Sequence, residues 1–182
     1  MKLTSADVIH SFWVPELNGK TDLLPNKVNE MWVDPQEPGL YVGQCAQFCG
    51  AEHAKMLLRV YVDTPEQFQQ WIADQQKTQQ ELNTAGAAAT PEAKLGQADF
   101  EREACFACHT ISGTIAFGRN GPDLTHLMSR ETLAAGIIQN NPQNMKAWIT
   151  NPDTLKSGSL MPALHLSDQE NAEITAYLLT LK

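Results

Sequence analysis

The chain has 182 residues, room for one large or two small domains, and its 42% hydrophobic and 19% charged residues are the proportions of a globular protein. Its net charge of −8 is spread along its length, which argues against nucleic acid and suits basic protein partners. No apolar run approaches the roughly 18–20 residues that cross a bilayer, and the polar start, Met1-Lys-Leu-Thr-Ser-Ala-Asp7, lacks the apolar segment of a signal peptide.

Residues 2–63 read as β. Asn29–Val33 and Leu40–Gly43 are short apolar runs punctuated by Pro and Gly, and Met56–Val62 alternates, with Leu58, Val60 and Val62 on one face. Between them lies Cys45-Ala-Gln-Phe-Cys49-Gly-Ala-Glu-His53-Ala-Lys-Met56. On a helix Cys45 and His53 would stand about 12 Å apart along the axis, too far to share one ion. The donors therefore need a wrapping loop or more than one metal, and Phe48 and Gly50 favour the loop. A methionine among the donors points away from zinc and towards copper. His10, at a strand end in Asp7-Val-Ile-His10-Ser-Phe-Trp13, is the natural further partner. Two cysteines, two histidines and a methionine exceed one tetrahedral site and suit two copper ions bridged by both thiolates, with one imidazole each. The rival readings are a Cys45–Cys49 disulfide with Met56 in a core, and a thiol-disulfide copper chaperone of the Cys-x3-Cys-Pro kind. In this chain Gly50 replaces that proline, and neither rival gives His53 and Met56 together a role.

Thr64-Pro-Glu-Gln67 is a helix start, and Phe68, Trp71 and Ile72 form a stripe that predicts a helix to about Gln76 docked on one face. Gln79–Thr90, rich in Gln, Ala, Thr and Gly, reads as a linker. The expected division is a β domain with its trailing helix over 1–76, a linker over 77–91, and an all-helical domain over 92–182. Thr90-Pro-Glu92 starts a helix that runs into Cys105-Phe-Ala-Cys108-His109. Residues 111–130 follow as a loop-rich stretch, then short helices near 131–139 and 144–149. Ser167-Asp-Gln-Glu170 is a capping box for a last helix whose buried stripe is Ile174, Tyr177, Leu178 and Leu181.

Cys-x-x-Cys-His is the attachment signature of a c-type haem, with Cys105 and Cys108 as thioethers and His109 on the iron. A thioredoxin-like pair would need a βαβ setting, which a helical segment does not offer. For the sixth ligand the candidates are His126, Met128, Met145, Met161 and His165. Met128 and Met145 sit on helical stretches as core residues, and the two histidines read as surface or hydrogen-bonded groups. Met161, in the Gly- and Ser-rich loop Lys156-Ser-Gly-Ser-Leu-Met161-Pro, is the expected ligand, and Met/His ligation raises the potential.

The span from Leu3 to Met56 resembles the copper-binding, cupredoxin-like domain of cytochrome c oxidase subunit 2. That resemblance implies a dinuclear copper centre on His10, Cys45, Cys49, His53, Met56 and the main-chain carbonyl of Gln47. The family usually has glutamate at the Gln47 position, whose carboxylate helps hold a magnesium ion against subunit 1; the amide keeps only the carbonyl. Residues 92–182 resemble class I cytochrome c domains. By that likeness the Pro122 carbonyl accepts from His109 Nδ1, Trp148 and Arg119 lie near a haem propionate, and Gly96 and Phe100 cross Tyr177. Copper domain followed by cytochrome c domain resembles subunit 2 of caa-type oxidases. The implied function is electron transfer from the haem to the dinuclear copper and on to haem a of subunit 1, with no oxygen chemistry in this chain. The implied electron donor is an external cytochrome c or a quinol-oxidising complex. The implied place is the outer, periplasmic face of a bacterial membrane, with membrane helices preceding the stretch where this chain starts. Two alternatives are a free-standing soluble copper/haem carrier and the copper domain of a nitrous or nitric oxide reductase; the latter would need catalytic motifs that the chain lacks.

Overall fold

The computed structural model describes residues 1–77 and 90–182. The expected linker at 77–91 falls almost wholly outside the described residues. The chain separates into two compact units, Met1–Gln70 with Ala134–Ile137 and Lys156–Gly158, and Trp71–Leu133 with Ile138–Leu155 and Ser159–Lys182.

The first unit is built on strands β1 (Lys2–Leu3), β2 (His10–Trp13), β3 (Thr21–Leu23), β4 (Asn29–Glu30), β5 (Gly39–Cys45) and β6 (Leu57–Val62). Four of them form an antiparallel sheet in the order β3-β2-β5-β6, and β1 pairs with β4. Alternation along β6 behaves as expected: Leu58, Val60 and Val62 are half-buried while Leu57 and Tyr61 face solvent. In β2 and β5, Phe12 lies opposite Cys45, so His10 and Cys45 share one face at one end of the sheet. Gly43 makes the strand crossing possible, because a Cβ there would sit 2.1 Å from the Trp13 carbonyl oxygen. Only Ser11, Val14 and Cys45 are buried among the described residues of this unit.

Helix α1 (Pro65–Gln75) forms where its cap predicts, with Gln67 Oε1 accepting from the Thr64 N–H at 3.0 Å and Gln67 N–H donating to Thr64 Oγ at 3.3 Å. The expected docking of its apolar face is not observed: Phe68 and Trp71 are 48% and 51% exposed and no residue of the helix is buried. The cap is local and sets where the helix starts, whereas three apolar residues make a narrow stripe that leaves much of its area exposed.

In the second unit, α2 (Pro91–Arg102) is capped by Thr90, whose Oγ accepts from the Ala93 N–H. It crosses α5 (Asp168–Leu178), whose capping box is complete: Ser167 and Glu170 bond each other's backbone N–H. At the crossing Phe100 and Tyr177 meet edge to face at 5.7 Å, and a Cβ on Gly96 would lie 1.8 Å from the Glu173 carbonyl oxygen. Helices α3 (Pro142–Thr150) and α4 (Pro152–Leu155) complete the helical set. The buried core is Phe100, Ile111, Leu124, Leu127, Met145 and Ile149 with the expected stripe Ile174, Tyr177, Leu178 and Leu181.

Two expectations are corrected here. Residues 131–139 are not helical: β7 (Thr132–Leu133) pairs with β8 (Ile138–Gln139) across a turn in which Ala134, Ala135 and Gly136 all have positive φ. Left-handed backbone cannot continue a right-handed helix. The Cys-x-x-Cys-His segment also does not end α2, since Ala104 turns left-handed at φ 58° and Cys105–Ala107 restarts as a 3-10 turn.

Candidate metal centres

The first centre lies where β2 begins and β5 ends. The Ala46 N–H donates to the Ser11 carbonyl at 3.0 Å, which carries the β2–β5 ladder one step beyond the strand and sets the start of the loop beside His10. The loop returns through a 3-10 turn at His53–Lys55, and the Cys45 N–H donates to the Met56 carbonyl at 2.9 Å. Folding this way brings donors together in series. His10 Nδ1 is 3.9 Å from Cys45 Sγ, Cys45 Sγ is 3.8 Å from Cys49 Sγ, and Cys49 Sγ is 3.7 Å from His53 Nδ1. His10, Cys45 and Cys49 offer ligand atoms that all lie within 4.8 Å of one another. The sulfurs are free and almost twice a disulfide bond length apart. The Gln47 carbonyl is 3.2 Å from Cys45 Sγ. Met56 is half-buried at the end of the same turn. All six expected groups therefore fall on one loop and one strand end.

Burial pushes the Cys45 thiol up, but backbone hydrogen bonds at Ser11 and Gln47, and those to His10 and His53, outweigh it and bring it down to about 6. Burial and the neighbouring Cys45 sulfur push the Cys49 thiol up instead. The two sulfurs are thus pushed apart, Cys45 towards the thiolate and Cys49 towards the thiol, as like groups sharing one site are. Two contacts here escaped the sequence reading, which used Phe48 only as a loop signal. Phe48, 75% exposed, presents itself edge-on to the His53 ring at 5.7 Å, and Asp7 Oδ1 is 2.8 Å from His10 Nε2. An acidic residue three positions before a histidine was the only available signal for Asp7.

The second centre is the turn that follows α2. His109 Nδ1 donates to the Pro122 carbonyl at 2.8 Å, the bond the cytochrome c likeness implies. The loop carrying Pro122 is tied to the motif by Gly121 N–H to the Cys108 carbonyl at 2.7 Å and Gly118 N–H to the His109 carbonyl at 3.1 Å. A Cβ on Gly121 would lie 2.5 Å from the His109 ring, so the backbone itself packs on the imidazole. Burial pushes the Cys105 thiol up to about 11, the reverse of what a thiolate redox pair needs. Arg119 is exposed and lines a cavity of about 380 Å³ with Thr110, Phe117, Gly118, Gly121 and Asp123. Trp148 is half-buried on α3. Met161 is half-buried in its loop, next to Leu160, which is 98% exposed; Phe117 is 74% exposed. Phe117, in the cavity lined also by Gly118 and Gly121 beside the Cys-x-x-Cys-His turn, is an exposed apolar ring that fits an apolar macrocycle there. Of the rejected candidates, Met145 is core, His126 is bonded through Nδ1 to the Lys182 carbonyl at 2.9 Å, and His165 is exposed.

Two family matches divide the chain at the same place as its chemistry. Residues 1–62 match the periplasmic domain of cytochrome c oxidase subunit II and residues 93–182 match cytochrome c. The chain is 36% identical over 182 residues to the cytochrome c oxidase subunit 2 of Alkalihalophilus pseudofirmus, covering 100% of this chain and 51% of the relative. It is 32% identical over 191 residues to that of Bacillus subtilis, covering 99% and 52%. Among solved structures, the periplasmic domain of subunit II of cytochrome oxidase from Bradyrhizobium japonicum is similar at 36% identity over 40% of this chain and 53% of that chain, with a TM-score of 0.39. The matched class is a cupredoxin-like periplasmic oxidase domain followed by a cytochrome c domain. Residues 1–62 thus belong to the family of the cytochrome c oxidase subunit II periplasmic domain, which implies a copper centre, and residues 93–182 to the cytochrome c family, which implies a haem. The chain spans about half the length of the curated relatives it matches. No helix among the described residues is long and apolar enough to cross a membrane.

Proposed function

We propose that the chain is the electron-transfer part of a respiratory cytochrome c oxidase, receiving electrons in its cytochrome c domain and delivering them through its copper domain to subunit 1. The observation that carries this reading is the series His10 Nδ1, Cys45 Sγ, Cys49 Sγ, His53 Nδ1 at steps of 3.9, 3.8 and 3.7 Å, in the same chain as a Cys-x-x-Cys-His turn. Two copper ions and one covalently bound haem c would supply the one-electron carriers. His10, Cys45, Cys49, His53, Met56 and the Gln47 carbonyl would hold the copper, with both sulfurs bridging. Cys105 and Cys108 would form the thioethers, and His109 and Met161 would ligate iron. Residues 1–76 form the copper domain, 77–91 the linker, and 92–182 a class I cytochrome c domain, helical apart from the β7–β8 ladder.

What the protein supplies is fixed geometry. Strand pairing sets Cys45 against His10, the 3-10 turn sets His53 against Cys49, and the Pro122 carbonyl holds the His109 ring. Donors held this way move little when charge changes, which keeps the barrier to electron transfer low. The electron donor is an external cytochrome c or a quinol-oxidising complex, oxygen chemistry belongs to subunit 1, and this chain lies on the outer, periplasmic face of the membrane.

The test is kinetic. After flash reduction of the haem in the copper-loaded chain, haem oxidation and copper reduction should share one first-order rate that is independent of protein concentration. A rate proportional to concentration, or haem that stays reduced, would contradict the assignment.

A further inference from the structure

We propose that Asp7 is a positioning residue for the copper site, locking His10 in the tautomer that presents Nδ1 to the cysteine sulfurs. The proposal rests on the reading of His10 and Cys45 as copper ligands. A carboxylate only accepts hydrogen bonds, so at 2.8 Å from Asp7 Oδ1 the His10 Nε2 carries the proton. In the neutral ring the lone pair is then on Nδ1, the atom 3.9 Å from Cys45 Sγ. Asp7 is held in its turn: its N–H donates to Ser5 Oγ at 3.2 Å, and the one Ser5 hydroxyl proton is shared between Asp7 Oδ1 at 2.9 Å and the Val8 carbonyl at 2.5 Å. The chain segment before β2 thus forms a short relay, Ser5 to Asp7 to His10, that ends at the sulfur pair.

Exposure separates orientation from stability. The Asp7 side chain is 69% exposed and the His10 side chain 17%, so the pair adds little to folding and Asp7 can be changed without opening a core. Without it, nothing in this relay fixes which ring nitrogen carries the proton, and a neutral ring protonated on Nδ1 cannot bind a metal through that atom. A histidine ligand whose far nitrogen bonds a carboxylate is also the stronger donor. The His53 ring instead meets Phe48, with ring centroids 5.7 Å apart, so the two imidazoles have different neighbours.

The full chain is prepared as wild type, Asp7→Ala and Asp7→Asn. Nitrogen-resolved NMR of the metal-free chains, at a pH where His10 is neutral, should show the Nε2–H form in wild type and in Asp7→Asn, whose amide oxygen still accepts, and a tautomer mixture in Asp7→Ala. On copper titration Asp7→Ala should lose about 10–100-fold in affinity and its centre should move to higher potential, with Asp7→Asn recovering the affinity. Wild-type tautomer and wild-type affinity in Asp7→Ala would overturn the proposal while leaving the copper reading intact. Failure of wild type itself to take up copper would overturn both, and the NMR result would then describe only a tautomer lock without a metal role.

Discussion

Gly121 has no side chain because the His109 ring leaves no room for one. Adding a methyl there forces either the imidazole or the Cys108–Gly121 tie to move, since the Cβ would lie 2.5–3.0 Å from three ring atoms. Gly121→Ala is expected to cost about 1–3 kcal/mol by overpacking and to weaken the His109–Pro122 bond. Haem content per chain and the ring-nitrogen NMR signal of His109 check this, and unchanged values of both would refute it. Met161 can be separated from its rivals in the same way: Met161→Ala should convert low-spin to high-spin haem, while Met128→Leu should leave the spectrum unchanged. The reverse pattern would move the ligand. The proposed donors were legible because their chemistry is carried by residue type and spacing, as in Cys45, Cys49, His53 and His109. Asp7 was not, because carboxylates near histidines are common and only the fold shows which ring nitrogen each one meets.

At the scale of elements, the α2–α5 crossing depends on Gly96, whose Cβ would overlap the Glu173 carbonyl, and on the Phe100–Tyr177 pair. Phe100→Ala should cost about 3–5 kcal/mol in thermal or denaturant unfolding. Ser167→Ala removes the N-cap of α5 and should cost about 1 kcal/mol. Glu170 adds a pH signature. Hydrogen bonds from the Ser167 hydroxyl and backbone, with the nearby Arg102 charge, hold its carboxyl below the usual range against the opposing effect of burial. A depressed folded-state value means that its contribution is complete above the ordinary carboxylate range and disappears as pH falls through the lowered one. Ser167→Ala should therefore flatten the acid limb of a stability–pH curve, and a parallel curve would count against the capping box. These helix starts were readable because caps are local. The 131–139 ladder was not: Leu133-Ala134-Ala135 carries helix propensity, but the turn it makes uses three successive positive φ angles that tertiary packing imposes. The exposed stripe of α1 fails for the same reason, since sequence shows a face but not what covers it.

Across the whole molecule the buried core lies in the helical unit, while the β unit buries Ser11, Val14 and Cys45. A sheet with so little interior depends on what binds its loop. Copper at about 100 times its Kd should stabilise that unit by about 2.7 kcal/mol. Chelation should lower the transition followed by strand signals and leave the haem transition where it was; a shift of both together, or of neither, would contradict this. The most direct measurement is an electron paramagnetic resonance spectrum of the copper-loaded chain, with copper, iron and protein quantified on the same sample. Two coppers and one haem per chain, with hyperfine splitting from two equivalent copper nuclei sharing one unpaired electron, is the predicted result. A spectrum of isolated single copper ions, with the haem intact, would contradict the bridged site on Cys45 and Cys49.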